Sequence, residues 1–387
     1  MNFINSTKRT LYGLSSGHFM VDLYVAVLIP LYPYIAQRLD VNIAQISIAI
    51  AIGHSVSSLL QPVFGHISDK INRRFFMFWG LVLPCIFTPL GYIAPNLWIL
   101  SLCLMLGMVG NAFYHPQTTS MIKSFYKENE SLTYAMGLFL GLGTIGYAFG
   151  PYISTYFLQT FGDKNYVFIG VFGIIFSIFM LFFVPKIKAL EENKTGDFIG
   201  AIKEIAKNKT CVYLTLITIL KAALIMSFGT YVPFLLKRMD FSMTQTGLIL
   251  TMFYILGGLS MIVSSKIEKL IKLRGLIILS YLPLLPLIAL FLYLLNIDKL
   301  LAAIIFIISG FFVLLAAGAI LAHSQKIMSK NTGTISGIIQ GFTLSIGAIL
   351  LIPLGALAQS FGVESVLILT TSAAFIISIY TAKTKLI

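Results

Sequence analysis

A histidine and an aspartate four residues apart, His18 and Asp22, stand inside an apolar run from about Leu11 to Ile35. On a helix that spacing puts both on one face. An ionised side chain at the centre of a bilayer costs roughly 2.5–3.5 kcal/mol on insertion scales, and acids kept there serve proton or solute pathways by default. Desolvation favours the neutral form of a carboxyl, so Asp22, helped by His18, is the expected proton-coupling pair. A lysine, Lys221, lies about 11 residues into a later apolar run, roughly 16 Å from its end at 1.5 Å per residue. That depth disfavours snorkelling, so it is expected either to pair with Asp22 or to capture an anionic solute. His54 is mid-run, and His115 precedes Pro116, which frees a backbone carbonyl and marks a bend. His54, His115, Gln117 and Tyr24 are the further candidate substrate contacts. With Asp22, the mid-run histidines also match the ligand types of transition metals, but no spacing demands a metal and none is expected.

These residues must be positioned by membrane helices. The chain has 387 residues, 58% hydrophobic and 11% charged, with mean hydropathy +0.91. Soluble proteins carry about 25% charged residues. Twelve spans are read, at roughly 11–36, 43–65, 75–94, 97–117, 133–158 and 165–185, then 210–236, 244–264, 275–296, 299–322, 335–358 and 363–382. The fold class is therefore all-α membrane protein. Its expected parts are a bundle over 1–185, a linker over 186–209 and a second bundle over 210–387. The net charge of +13 is spread between apolar runs rather than gathered into a nucleic-acid patch. With both termini inside, 21 of the 27 lysines and arginines fall on the inner side and five on the outer, which predicts cytoplasmic termini. In the linker, Phe198, Ile199, Ile202 and Ile205 alternate with Lys203, Glu204 and Lys207 at helical spacing, as in a helix on the cytoplasmic surface.

The halves repeat at an offset near 200. Gly137 and Gly141 answer to Gly337 and Gly341, and Arg74 to Arg274. By the same offset Asp22 aligns with Ala222, beside Lys221. Cys85, Cys103 and Cys211 form no CxxC pair. There is no HExxH, nucleophile elbow or phosphate-binding Walker loop, so neither an enzyme nor an ATP-driven pump is expected, and no cofactor.

The loop Gly65-His66-Ile67-Ser68-Asp69-Lys70-Ile71-Asn72-Arg73-Arg74 resembles the signature between spans two and three of the major facilitator superfamily. Ser57-Ser58-Leu59-Leu60-Gln61-Pro62, His18 with Asp22, Phe113-Tyr114-His115-Pro116, Leu220-Lys221, and Ser336-Gly337 through Gly362 are similar to the fosmidomycin resistance protein family within it. The resemblance implies two six-helix bundles and alternating access. It also implies proton-coupled antiport: drug or metabolite efflux and antibiotic resistance. Two positions depart from it. Gln117 and Lys326 stand where the family carries glutamates, so a coupling role for those acids does not transfer. The resemblance makes Gly65, Asp69, Arg73 and Arg74 a gating latch at the cytoplasmic face. Gly137, Gly141, Gly146, Gly150 and Pro151 lie in span five, where small residues four apart allow close helix packing. Tyr24, Tyr32, Phe113, Tyr114, Tyr147 and Tyr231 are candidates to line an apolar cavity. The expected protein is a monomeric secondary transporter in the inner (plasma) membrane, with a small molecule and protons as its partners. A proton-coupled importer and a metal-ion transporter are the alternatives.

Overall fold

Long apolar runs broken by short polar joints give helices wherever the backbone must satisfy its own hydrogen bonds. In the computed structural model every ordered element among the described residues is helical. The structure describes residues 3–70, 73–125, 130–184, 198–328, 335 and 338–384. Within these, 3–7, 62–63, 65–70, 73, 120, 123–125, 130–134, 198–199, 201–202 and 340 are described by backbone alone. The helices are α1 (Phe3–Ala26), α2 (Tyr32–Leu39), α3 (Ile43–Lys70), α4 (Arg73–Tyr92), α5 (Leu97–Phe125), α6 (Glu130–Phe161), α7 (Ile169–Phe183), α8 (Phe198–Lys207), α9 (Lys209–Arg238), α10 (Met243–Tyr281), α11 (Leu284–Leu294), α12 (Lys299–Leu315), α13 (Ala317–Ile327), α14 (Thr343–Phe361) and α15 (Val363–Lys383). Eleven helical stretches among the described residues are long and apolar enough to cross a membrane. One of them, Met243–Leu294, has 52 residues, about 78 Å of helix against a hydrocarbon core of about 30 Å. It is broken at Lys272, whose φ of 60° interrupts α10. Two crossings fit there, which makes the twelve read from the sequence.

The chain divides into two units, Met1–Val41 with Ile52–Asn193, and Asn42–Ala51 with Lys194–Ile387. The first ten residues of the α3 region thus group with the second unit, where Ser47 Oγ lies 3.1 Å from the Tyr231 hydroxyl. In the first unit α1 packs on α6, α4 and α5, and α4 on α5 and α7. In the second, α9 packs on α14 and α15, α10 and α11 on α12, and both also on α15. Helix α8 exposes Lys203, Glu204 and Lys207 and buries Ile205 against Cys211, Met328, Ile335 and Ile339. Ile205 is thus taken up by the second unit, while Phe198, Ile199 and Ile202 are described by backbone alone. Residues 186–197 of the expected linker, and residue 185 before it, lie outside the described residues.

The 200-residue repeat recurs in backbone detail. Asp40 and Asp240 both adopt left-handed conformations, φ 51° and 60°. The residues after them close the same six-residue turn, Val41 N–H to the Ala36 carbonyl and Phe241 N–H to the Leu236 carbonyl, each 3.0 Å. This is the Schellman ending of a helix, with aspartate standing where glycine is usual. Asn42 with Gln45 and Ser242 with Gln245 then form reciprocal caps. Gly162 and Gly362, φ 77° and 84°, end α6 and α14. Arg74 donates to the Leu181 carbonyl in α7, and Arg274 to the carbonyls of Thr381 and Ala382 in α15. Each arginine ties down the last turn of its unit's final helix, where carbonyls lack intrahelical partners.

Candidate functional site

Helix α1 reaches its neighbours through a hydroxyl and a histidine. Tyr114 of α5, fully buried, donates to the Leu14 carbonyl at 2.5 Å. One turn on, His18 is 3% exposed and stacks on Phe139 of α6, ring centroids 4.1 Å apart. A Cβ at Gly143, one turn along α6, would overlap the His18 ring. The absent side chain is what lets the imidazole lie against α6.

His18 Nδ1 is 2.7 Å from the Phe139 carbonyl oxygen. A carbonyl only accepts, so Nδ1 carries the hydrogen and donates it. The other nitrogen, Nε2, faces Asp22 Oδ2 at 3.2 Å. His115 of α5 approaches the second carboxylate oxygen, its Nε2 3.5 Å from Oδ1. The two imidazoles meet edge to face, centroids 4.7 Å apart. Asn111, one turn before His115, places Nδ2 at 3.0 Å from the same Nε2, and its own oxygen accepts from Ser57 Oγ of α3 at 3.4 Å. With the amide donating, His115 Nε2 is a lone pair too. With both imidazoles neutral, three acceptor groups converge: two imidazole nitrogens and one carboxylate. Asp22 and His115 keep 17% and 25% of their side-chain surface exposed, so the group is not sealed off. Acceptors without a hydrogen between them repel, and a cation placed among them relieves the repulsion.

The i, i+4 pairing of His18 and Asp22 stands as the sequence spacing implies. His115 joins them from 93 positions further along the chain. Asn111 and the Phe139 carbonyl were not singled out by sequence reasoning. The signal for Asn111 was an amide inside an apolar run, one turn from a histidine. Tyr24 is 1% exposed, donates to the Ile169 carbonyl at 2.6 Å and accepts from Gly173 N–H at 3.0 Å, so it locks α1 to α7. Gln117 is 1% exposed and donates to the Phe64 carbonyl at 3.1 Å, joining α5 to α3. His54 is half-buried on α3, away from the three-residue cluster and without a hydrogen-bond partner among the described residues. Lys221 is half-buried on α9, and within the second unit no partner of its ammonium is found among the described residues. Gly65, Asp69 and Arg73 are described by backbone alone, while Arg74 is engaged with Leu181. In α6, Gly146 and Gly150 press on Phe19 and Leu23 of α1, with Pro151 inside the same helix. Gly137 and Gly141 have nothing within 4 Å of an added Cβ. Of the aromatic candidates, Tyr24, Tyr32, Tyr114 and Tyr231 are buried in packing, and Phe113 and Tyr147 are half-buried.

The sequence is similar to the fosmidomycin resistance protein of Escherichia coli (strain K12), 24% identical over 94% of this chain and 90% of that one. A probable nitrate transporter, NarT, of Staphylococcus epidermidis is 29% identical over 58% of this chain; the chain spans 57% of that relative's length. A sialic acid transporter, NanX, of Escherichia coli (strain K12) is 28% identical over 48% of this chain and 44% of its own. Among solved structures the fold matches the nucleoside transporter NupG with TM-score 0.78 at 13% identity, covering 100% of both chains. It matches a bacterial homolog of the human lysosomal transporter Spinster with TM-score 0.75 at 14% identity, covering 97% of this chain and 96% of that one. The family profile described as Major Facilitator Superfamily matches residues 14–352, and the chain, a multi-pass membrane protein, belongs to that superfamily.

Proposed function

We propose that this secondary transporter couples an anionic or amphipathic small solute to protons, with the coupling proton held by Asp22, His18 and His115. The family is one of transporters, not enzymes, so the cluster's chemistry is binding and release. The observation that carries the reading is the fixed hydrogen on His18 Nδ1. With that nitrogen committed to Phe139, a proton can be gained only at Nε2, where it forms a charge-assisted bond to Asp22. Loss of the proton leaves acceptor against acceptor, and the side chains are pushed apart. A proton thus decides how α1, α5 and α6 meet, and alternating access needs a two-state element of this kind. Lys221 supplies a positive charge in the second unit for an anionic group. Relatives named for nitrate and for sialic acid support a solute of that charge. The relative named for fosmidomycin resistance supports export.

The loop from Gly65 to Arg74 is proposed as the cytoplasmic latch, and both termini as cytoplasmic, in a monomer of the plasma membrane. The test is reconstitution into vesicles holding a pH-sensitive dye, with nitrate, sialic acid and fosmidomycin as trial solutes. A solute that moves protons in the wild type should move none in Asp22→Asn, while substrate exchange at equal pH persists. Proton movement unchanged in Asp22→Asn refutes the proposal. Opposite pH gradients separate export from import.

A further inference from the structure

We infer that His18, Asp22 and His115 form a binding site for one divalent first-row transition-metal ion. The inference uses the residues of the proposed proton seat but does not depend on proton coupling. Their ligand atoms all lie within 4.8 Å of one another. His18 Nε2 is 3.2 Å from Asp22 Oδ2 and His115 Nε2 is 3.5 Å from Asp22 Oδ1, one imidazole to each carboxylate oxygen. A tetrahedral ion with bonds of about 2.0–2.1 Å holds its ligands about 3.3–3.4 Å apart, so turning the carboxylate to offer one oxygen and drawing in the widest separation, at most 4.8 Å, closes the shell. The donor set is two imidazoles and one carboxylate, which suits zinc, cobalt, nickel or ferrous iron over magnesium or calcium.

The surroundings supply an independent argument. A histidine that ligates a metal nearly always donates its other ring N–H to a carbonyl or carboxylate, which fixes tautomer and orientation. His18 does so already, Nδ1 to Phe139 at 2.7 Å, stacked on the same residue's ring. In the neutral imidazole Nε2 is therefore presented as a lone pair before any ion arrives. At His115 the ion takes the place of the Asn111 amide hydrogen. The exposed side of Asp22 and His115 provides the entry path and leaves the fourth position to water. Among the described residues this is the one group of three such side chains close enough to share an ion.

The experiment is titration of purified, tag-free protein in detergent with Zn²⁺ by calorimetry, and with Co²⁺ by visible absorption. The expected result is one ion per chain with a tetrahedral-type cobalt spectrum, and no comparable binding of Mg²⁺ or Ca²⁺. Asp22→Asn and His115→Gln should each weaken binding at least tenfold, whereas His323→Gln, in the second unit, should not change it. If either variant fails to fold, protection of the wild-type histidines from diethylpyrocarbonate by Zn²⁺ reads the same contact. Absence of binding by the wild type, or undiminished binding in the folded cluster variants, overturns the inference. Neither outcome touches the proton reading, because that is decided by transport and this by binding.

Discussion

Gly146 and Gly141 lie on the same helix five residues apart, yet alanine should act oppositely at the two. A Cβ on Gly146 would meet the carbonyl oxygen, carbonyl carbon and Cα of Phe19, the last at 2.8 Å. Carbon atoms settle at about 3.5–4.0 Å, so α1 and α6 must part by roughly 1 Å at this level. The obstacle is backbone, which has no rotamer to escape into. Overpacking of this kind costs about 1–3 kcal/mol. At Gly141 nothing lies within 4 Å, and alanine gains about 0.8–1.0 kcal/mol of helix propensity over glycine. The two variants should differ by roughly 2–4 kcal/mol. Thermal unfolding in one detergent at one scan rate should rank Gly141→Ala at or above wild type and Gly146→Ala several degrees below. Gly143→Ala presses on the His18 ring, which can rotate away. It should therefore keep more stability than Gly146→Ala while losing proton-coupled transport, because His18 leaves the Phe139 carbonyl. If Gly146→Ala melts with or above wild type, the account of α1 seated on α6 is wrong.

Three further outcomes follow from the same contacts. Tyr24→Phe removes a hydroxyl lodged between the Ile169 carbonyl and Gly173 N–H; those groups are four apart and can bond directly, so the expected loss is only about 1 kcal/mol, read as a modest drop in melting temperature. Glu268→Gln breaks an ion pair with His323 that is 25% and 38% exposed, and melting should barely move, since pairs of this exposure contribute about 0–1 kcal/mol. Arg74→Ala and Arg274→Ala each release the end of their unit's last helix, and hydrogen exchange should rise in the last turn of α7 in the first variant and of α15 in the second, with the other unit unchanged.

The spans, the two-fold repeat and the His18–Asp22 pair were legible because each is a local property: length, composition, or a spacing of four. The arrival of His115 was not. It depends on how α5 is rotated against α1, and α5 is apolar on nearly all sides, so its sequence does not mark which face meets which neighbour. Nor did the sequence mark that buried carbonyls within the first unit take the hydrogens of Tyr24 and Gln117, both read from it as candidate substrate contacts. Of the four glycines chosen on spacing, Gly146 and Gly150 make the close approach and Gly137 and Gly141 do not, while Gly143, which the spacing passed over, also does. An isolated polar group in a membrane helix announces that it has a partner; the partner can be a backbone carbonyl, which leaves no trace in the residue letters.

The most direct measurement is the protonation of each His18 ring nitrogen, followed by ¹⁵N magnetic resonance of histidine-labelled protein in bilayers across pH, the signal assigned by its loss in His18→Gln. The account predicts an Nδ1 that stays protonated throughout and an Nε2 that alone exchanges its proton, with the Nε2 transition altered in Asp22→Asn. An Nε2–H tautomer at high pH, or a His18 indifferent to Asp22→Asn, would contradict it.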